Sequence, residues 1–225
     1  MIRFKTKLKN FDLPTSYSDI TIDDLEFFKA NQDNEAAIIE RLTGLNAIEM
    51  QMIDLDSISS YLSFLSDSPL EIESVEGFII DKQYFTIPID IGEETYSKKI
   101  QAVNCLAQSN VVGLVQTYFD IPNIGTHSVE LIYSIANNLI AQINGLIERD
   151  ATHLKSDTTH EQKLAGIDTF NELGEFNTID MIARNYNYTH LQVESLSYNL
   201  IFLILFKQNI QNRFEKNYNE IMQKQ

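Results

Sequence analysis

The sequence has one cysteine, no tryptophan, four prolines, eight scattered glycines and no long apolar run. A lone Cys105 excludes an intramolecular disulfide, so the fold is not a disulfide-stapled secreted one and a reducing setting is expected. Single glycines, never grouped, leave nothing to build a phosphate-cradling loop, and no dinucleotide fingerprint, Gly-x-Ser-x-Gly elbow or His-Glu-x-x-His helix is present. The longest apolar stretch, Leu200 to Phe206, is far short of the roughly 20 residues that cross a bilayer, so no membrane span is expected. Met1 to Asn10 is polar and basic, which is not the pattern of a signal peptide. No repeat at fixed period and no low-complexity tract appear.

What is present is acid. The 225 residues hold 17 Lys and Arg against 32 Asp and Glu, a net charge of −15, with 44% hydrophobic residues, enough for a globular core. Phosphate binding needs clustered bases, so this balance argues against a nucleic-acid-wrapping body and against docking on an anionic leaflet. The charge is segregated. Residues 1–10 carry Arg3, Lys5, Lys7 and Lys9 and no acid, residues 11–95 carry 19 acids against Lys29, Arg41 and Lys82, and residues 96–225 are nearly balanced.

The first ten residues alternate, with Ile2, Phe4, Thr6 and Leu8 on one side and the four bases on the other, the period of a half-buried strand. Four bases on one face either guard an edge strand or meet the acidic surface of a neighbour. That second reading makes Arg3, Lys5, Lys7 and Lys9 candidate interface residues, with incidental DNA contact open to them. A second short strand, Phe11 to Leu13, ends at Pro14.

Thr21 with Asp23 and Asp24 caps a helix through Leu25 and Phe28, and Asp33 or Asn34 caps another that stops at Gly44. Asn46 to Ile53 reads as a short helix, and Asp54 or Asp56 opens one through Leu65. The period then changes. Phe78-Ile79-Ile80 and Tyr84-Phe85-Thr86-Ile87 flank Asp81-Lys82-Gln83 as a β-hairpin, which Ile89 to Gly92 extends. Beyond Gly92 the pattern is helical: around Tyr96 to Leu106, Val111 to Phe119, 127–149, Glu161 to Leu173, Thr178 to Asn185 and a last helix from Val193 to Met222. The expected fold is α+β and predominantly helical, with an acidic portion 1–92 and a helical bundle 93–225. Leu196, Leu200, Leu203, Ile210, Phe214 and Ile221 fall near a 3-4 repeat, interrupted by Lys207 and Asn217. The first half of this helix is expected to be buried, the second exposed or bound to a partner.

Chemistry is sparse. His153, Asp157 and His160, with Glu161 beside them, have the residue types of a metal site but sit in a polar segment without an apolar wall. Asp54-Leu55-Asp56 opens like a calcium loop, yet Ser59 stands where that loop needs glycine. Cys105 falls on an apolar helix and reads as buried and inert. No catalytic, cofactor or metal residues are therefore assigned. Tyr186, Tyr188, Tyr198 and Tyr218 cluster with asparagines near the end of the chain, and tyrosine gives contact area at low entropy cost. Tyr186, Tyr188 and Tyr218 join the candidate interface residues.

Phe11-Asp12-Leu13-Pro14 followed by Ile20-Thr21-Ile22 and Leu25, the helix end Ile38-Ile39-Glu40-Arg41-Leu42-Thr43-Gly44-Leu45, and Ala165-Gly166-Ile167 with Leu173-Gly174 resemble small accessory proteins of tailed bacteriophages. The likeness is to tail-assembly-chaperone-type proteins and to ring, hub and cargo proteins of the capsid–tail junction in crAss-like phages. It spans about a third of the chain and transfers no functional residue. It implies a non-enzymatic virion protein of the tail or portal–tail region, made in the host cytoplasm, partnered by other phage structural proteins and forming a homo-oligomer or ring. A soluble assembly chaperone absent from the virion, and a metal-dependent enzyme, are the alternatives.

Overall fold

The structure is a computed structural model and describes residues 2–5, 10–51, 58, 62–155, 169 and 172–223. The fold is α+β and predominantly helical, with a long C-terminal helix. Its elements are β1 (Ile2–Lys5), β2 (Asn10–Leu13), α1 (Ile22–Ala30), α2 (Glu35–Thr43), α3 (Ala47–Met50), β3 (Gly77–Ile80), β4 (Gln83–Thr86), α4 (Tyr96–Ala107), α5 (Val111–Tyr118), α6 (Val129–His153), α7 (Glu175–Tyr186), α8 (His190–Ser195) and α9 (Tyr198–Met222). They form two compact units. Residues 1–87 and 111–138 make the first, and residues 88–110 and 139–225 the second. Gly92 lies just past the first change of unit, and the chain returns to the first unit for 111–138 before leaving it again within α6.

In the first unit, β1 and β2 pair antiparallel with Arg3 opposite Asp12 and Lys5 opposite Asn10. Leu13, at the end of β2, is buried with Ile39, Leu45, Met50, Ile58 and Leu62, and this cluster forms one core. α1 begins in a capping box: the Asp24 N–H donates to the Thr21 hydroxyl and the Thr21 N–H donates back to the Asp24 carboxylate. α2 ends where Gly44 adopts the left-handed conformation that a side chain disfavours. The β3–β4 hairpin turns through Asp81 and Lys82, with φ of 50° and 67°, the signature of a type I′ turn. Its inner face carries Phe78, stacked on Phe85 at 5.2 Å and edge-on to Phe119 at 5.0 Å, while Ile79 and Tyr84 face outward opposite one another.

One device recurs in both units. The residues before two helices pair as an antiparallel bridge, so each helix's first N–H, an orphan in any helix, finds a carbonyl on the other strand. In the first unit Thr21 bridges Ser128, with Ile22 N–H donating to His127 O (3.0 Å) and Val129 N–H to Ile20 O (2.9 Å). In the second Thr95 bridges Ser197, with Tyr96 N–H donating to Leu196 O (2.8 Å) and Tyr198 N–H to Glu94 O (2.9 Å). Both bridges are preceded by an Ile-Gly 3-10 turn, Ile124–Thr126 and Ile91–Glu93. Each glycine lies against an amide or acid two residues into the partner segment: Gly125 against Asp23, Gly92 against Asn199. The sequence shows this only as Ile-Gly-x-x-Ser/Thr beside Thr/Ser-x-Asp/Asn at irregular spacing, which a search at fixed period does not detect.

Four expectations need correction. Ile91–Glu93 is a 3-10 turn capped by the Asp90 carboxylate on Gly92 N–H (2.7 Å), not an extension of the hairpin. Among the described residues, the short helix at Asn46 stops at Met50. α7 starts at Glu175, three residues before the expected Thr178. The last helix is two helices, because Leu196 and Ser197 are extended to make the bridge to Thr95 and Ser197 then caps α9. The expected helix openings at Asp54 or Asp56, the calcium-like Asp54-Leu55-Asp56, and nearly all of the helix at Glu161 to Leu173 lie outside the described residues.

Candidate interaction surface on the last helix

α9 is held at its base by a polar network in the second unit. Tyr96 and Tyr198, 1% and 2% exposed, stack at 5.8 Å with an interplanar angle of 14°. The Tyr198 hydroxyl donates to the Asp150 carboxylate and the Tyr96 hydroxyl to Glu175. Burial, then the adjoining carboxylate, pushes both phenols well above their usual range, so both remain protonated donors. The Lys99 ammonium pairs with Glu175 at 2.9 Å and lies 4.9 Å from the Tyr198 ring centre. The Arg149 guanidinium lies over Phe202 at 4.1 Å and donates to the Asn199 side-chain oxygen at 2.7 Å, while the Asn199 amide donates to Asp90 (2.9 Å) and Glu93 (2.8 Å). Every group in this cluster has an opposite-charge or hydrogen-bonding neighbour, though the buried Arg149 Nε and Nη2 and Asp150 Oδ1 have none themselves. It is a clamp on the first turn of α9.

Beyond the clamp the helix leaves the core. Phe202 and Phe206 stack on one another and receive His153 edge-on, and the Asn209 amide donates to His153 O at 2.9 Å. From 211 to 223 every residue is exposed. Leu200, Leu203, Ile210, Phe214, Tyr218 and Ile221 share one stripe, with Phe214 66% and Ile221 59% exposed. The Phe214 and Tyr218 rings stack at 6.1 Å with an interplanar angle of 20°. No described helix is long and apolar enough to cross a membrane. The stripe is an exposed apolar face along α9, a feature that in general accompanies contact sites.

Tyr186 and Tyr188 also lie on the surface, 44% and 42% exposed, stacked at 6.2 Å across the left-handed Asn187 that ends α7. Tyr218 belongs to the α9 stripe. Tyr198 does not belong with them: it is buried in the clamp. Phe176 and Leu191, exposed on α7 and α8, were not singled out by sequence reasoning, since each fits an ordinary apolar helix position. Arg3 and Lys5 are placed by their register on β1, opposite Asp12 and Asn10, and Lys7 and Lys9 lie outside the described residues. His153 meets two phenylalanine rings, and Asp157, His160 and Glu161 lie outside the described residues. Among the described residues no three His, Cys, Asp or Glu are grouped to hold a metal ion. Cys105 is half-buried, more open than expected for an inert core thiol.

No family model, curated protein or solved structure matches the chain.

Proposed function

We propose that this chain is a non-enzymatic protein of a tailed bacteriophage particle, at the tail or portal–tail region, acting through protein–protein contacts in assembly or as packaged cargo. The observation that carries the contact role is the exposed apolar stripe of α9, fixed at its base by a buried clamp and ending in a fully exposed segment. The phage setting comes from the resemblance of the Phe11 to Leu25 and Ile38 to Leu45 segments to tail accessory proteins. The basic residues Arg3, Lys5, Lys7 and Lys9 give a second, charge-based contact for an acidic neighbouring surface.

Mass spectrometry of purified particles tests location. A chain found in the particle supports a virion component. A chain bound to a tail protein during assembly and absent from finished particles makes it a tail assembly chaperone, and a chain found in neither removes the phage reading. Replacing Lys5, Lys7 and Lys9 with Glu weakens assembly at low salt if the basic strand is a contact, and leaves it unchanged if the bases only guard an edge.

A further inference from the structure

We infer that the distal half of α9, Ile210 to Met222, docks on the same segment of a second copy of this chain, antiparallel, about a two-fold axis near Lys216. The inference rests on the contact reading above and names the occupant of its stripe.

Three observations select that occupant. The first is reach. Beyond Asn209 the segment continues for 13 residues, about 20 Å at 1.5 Å per residue, with all residues from 211 onward exposed. That length presents Ile210, Phe214, Asn217 and Ile221 at alternating spacings of four, three and four, a seam of coiled-coil type. The second is the position of charge. Arg213 and Glu220 are seven residues apart, so both fall on one flank of the seam, while Gln211 and Tyr218, also seven apart, flank it on the other side. In an antiparallel pair each flank meets its own copy. Arg213 of each chain then stands beside Glu220 of the other, twice, with Ile210 toward Ile221 and Phe214 toward Asn217 and Tyr218. A parallel pair sets the charged flank against the uncharged Gln211 and Tyr218, which compensate neither ion, and brings the two Lys207 side chains together on the seam. In the antiparallel register Lys207 lies beyond the paired segment. The third is field. The chain carries −15 overall, which opposes self-association, but between Lys207 and Met222 it has three bases and two acids. The helix end is thus a place where two copies approach without that repulsion.

The pairing is closed and isologous, so it yields a dimer and not a growing ring. Sedimentation of the full chain over a concentration series tests it. The expected result is a reversible monomer–dimer equilibrium, abolished by Phe214→Glu with an unchanged helical circular dichroism spectrum, because Phe214 is exposed and its replacement does not disturb the core. Arg213→Glu and Glu220→Arg are each expected to weaken the dimer about tenfold, by turning two attractive pairs into two repulsive ones. Mixing the two variants restores wild-type affinity, since in the mixed dimer both facing pairs again join an acid on one chain to a base on the other. A wild-type chain that stays monomeric throughout, or a mixture no tighter than its components, overturns the inference. The two failures are distinguishable: if the wild type is monomeric yet Phe214→Glu prevents incorporation into particles, a different protein covers the stripe and only the self-docking is lost, whereas a monomeric wild type whose Phe214→Glu variant is incorporated normally removes the contact reading as well.

Discussion

Removing one hydroxyl from each of the two stacked tyrosines should have unequal effects, and the structure says in which direction. Tyr198→Phe and Tyr96→Phe keep the rings and their stacking, so each deletes one hydrogen bond to a carboxylate. Bonds to charged groups are worth about 1.5–3 kcal/mol, and more is lost when the abandoned partner stays buried. Glu175, the partner of Tyr96, has a 39% exposed side chain and keeps Lys99 at 2.9 Å, so water and the ammonium replace the lost donor. Asp150, the partner of Tyr198, has its other oxygen buried without a hydrogen bond. Without the Tyr198 hydroxyl the carboxylate loses that donor, while its Oδ1, buried from solvent, cannot recover one from water. The expected costs are about 1 kcal/mol for Tyr96→Phe and about 2–3 kcal/mol for Tyr198→Phe. At this chain length those correspond to melting shifts of roughly 2–4 °C and 4–12 °C. Thermal and urea unfolding followed by circular dichroism measure both. Adding Asp150→Asn to Tyr198→Phe closes a double-mutant cycle, in which the double variant should be less destabilised than the sum of the singles. Equal costs for the two tyrosine variants, or a larger one for Tyr96→Phe, would refute the assignment of the clamp to the Tyr198–Asp150 pair.

Other outcomes follow from the same geometry. Both phenols titrate above their unfolded value of about 10, so the stability they give is full below that pH and is lost as pH rises through and beyond it. Alkaline unfolding curves should steepen there for the wild type and flatten for the double Phe variant, which is read from melting temperature against pH. Gly92→Ala drives a methyl into the Asn199 side chain, which Arg149, Asp90 and Glu93 hold in place, and should cost about 1–3 kcal/mol. Gly125→Ala meets only the exposed Asp23 carboxylate, which can swing away, and should cost less in the same denaturation assay. Lys82→Gly relieves a left-handed residue in the hairpin turn and should stabilise the first unit by up to about 1 kcal/mol, seen as slower hydrogen exchange across β3 and β4.

Local chemistry was legible in the sequence wherever a residue acts on its near neighbours. Thr21 and Asp24 close their box within four residues, Gly44 ends α2 by its own φ, and the aromatic and β-branched strands around Asp81-Lys82 declare the hairpin. The amphipathic run at 127–149 is α6 with its ends moved, to Val129 and His153. The exposed stripe was legible in part, because Ile210, Phe214 and Ile221 keep helical spacing with polar residues between them. The break before α9 was not. Leu196-Ser197 follows a helical pattern without proline or glycine, and it opens only because Thr95, about a hundred residues earlier, offers a strand to pair with. Tyr198 reads like the tyrosines around it for the same reason: nothing near it in sequence reveals Asp150 or Tyr96.

Composition and short-range pattern suffice for the predominantly helical class, the segregation of acid into the first 95 residues, and an apolar stripe on the last helix. These depend on residue counts and on periods of two and 3.6, which neighbouring residues set through backbone geometry. The interleaving of two units, the paired bridges at the helix starts and the clamp of Tyr96, Glu175, Lys99, Tyr198, Asp150 and Arg149 exist only once the chain is folded. Those depend on groups brought together from across the chain, where a buried hydroxyl or carboxylate must find a partner that no local pattern names.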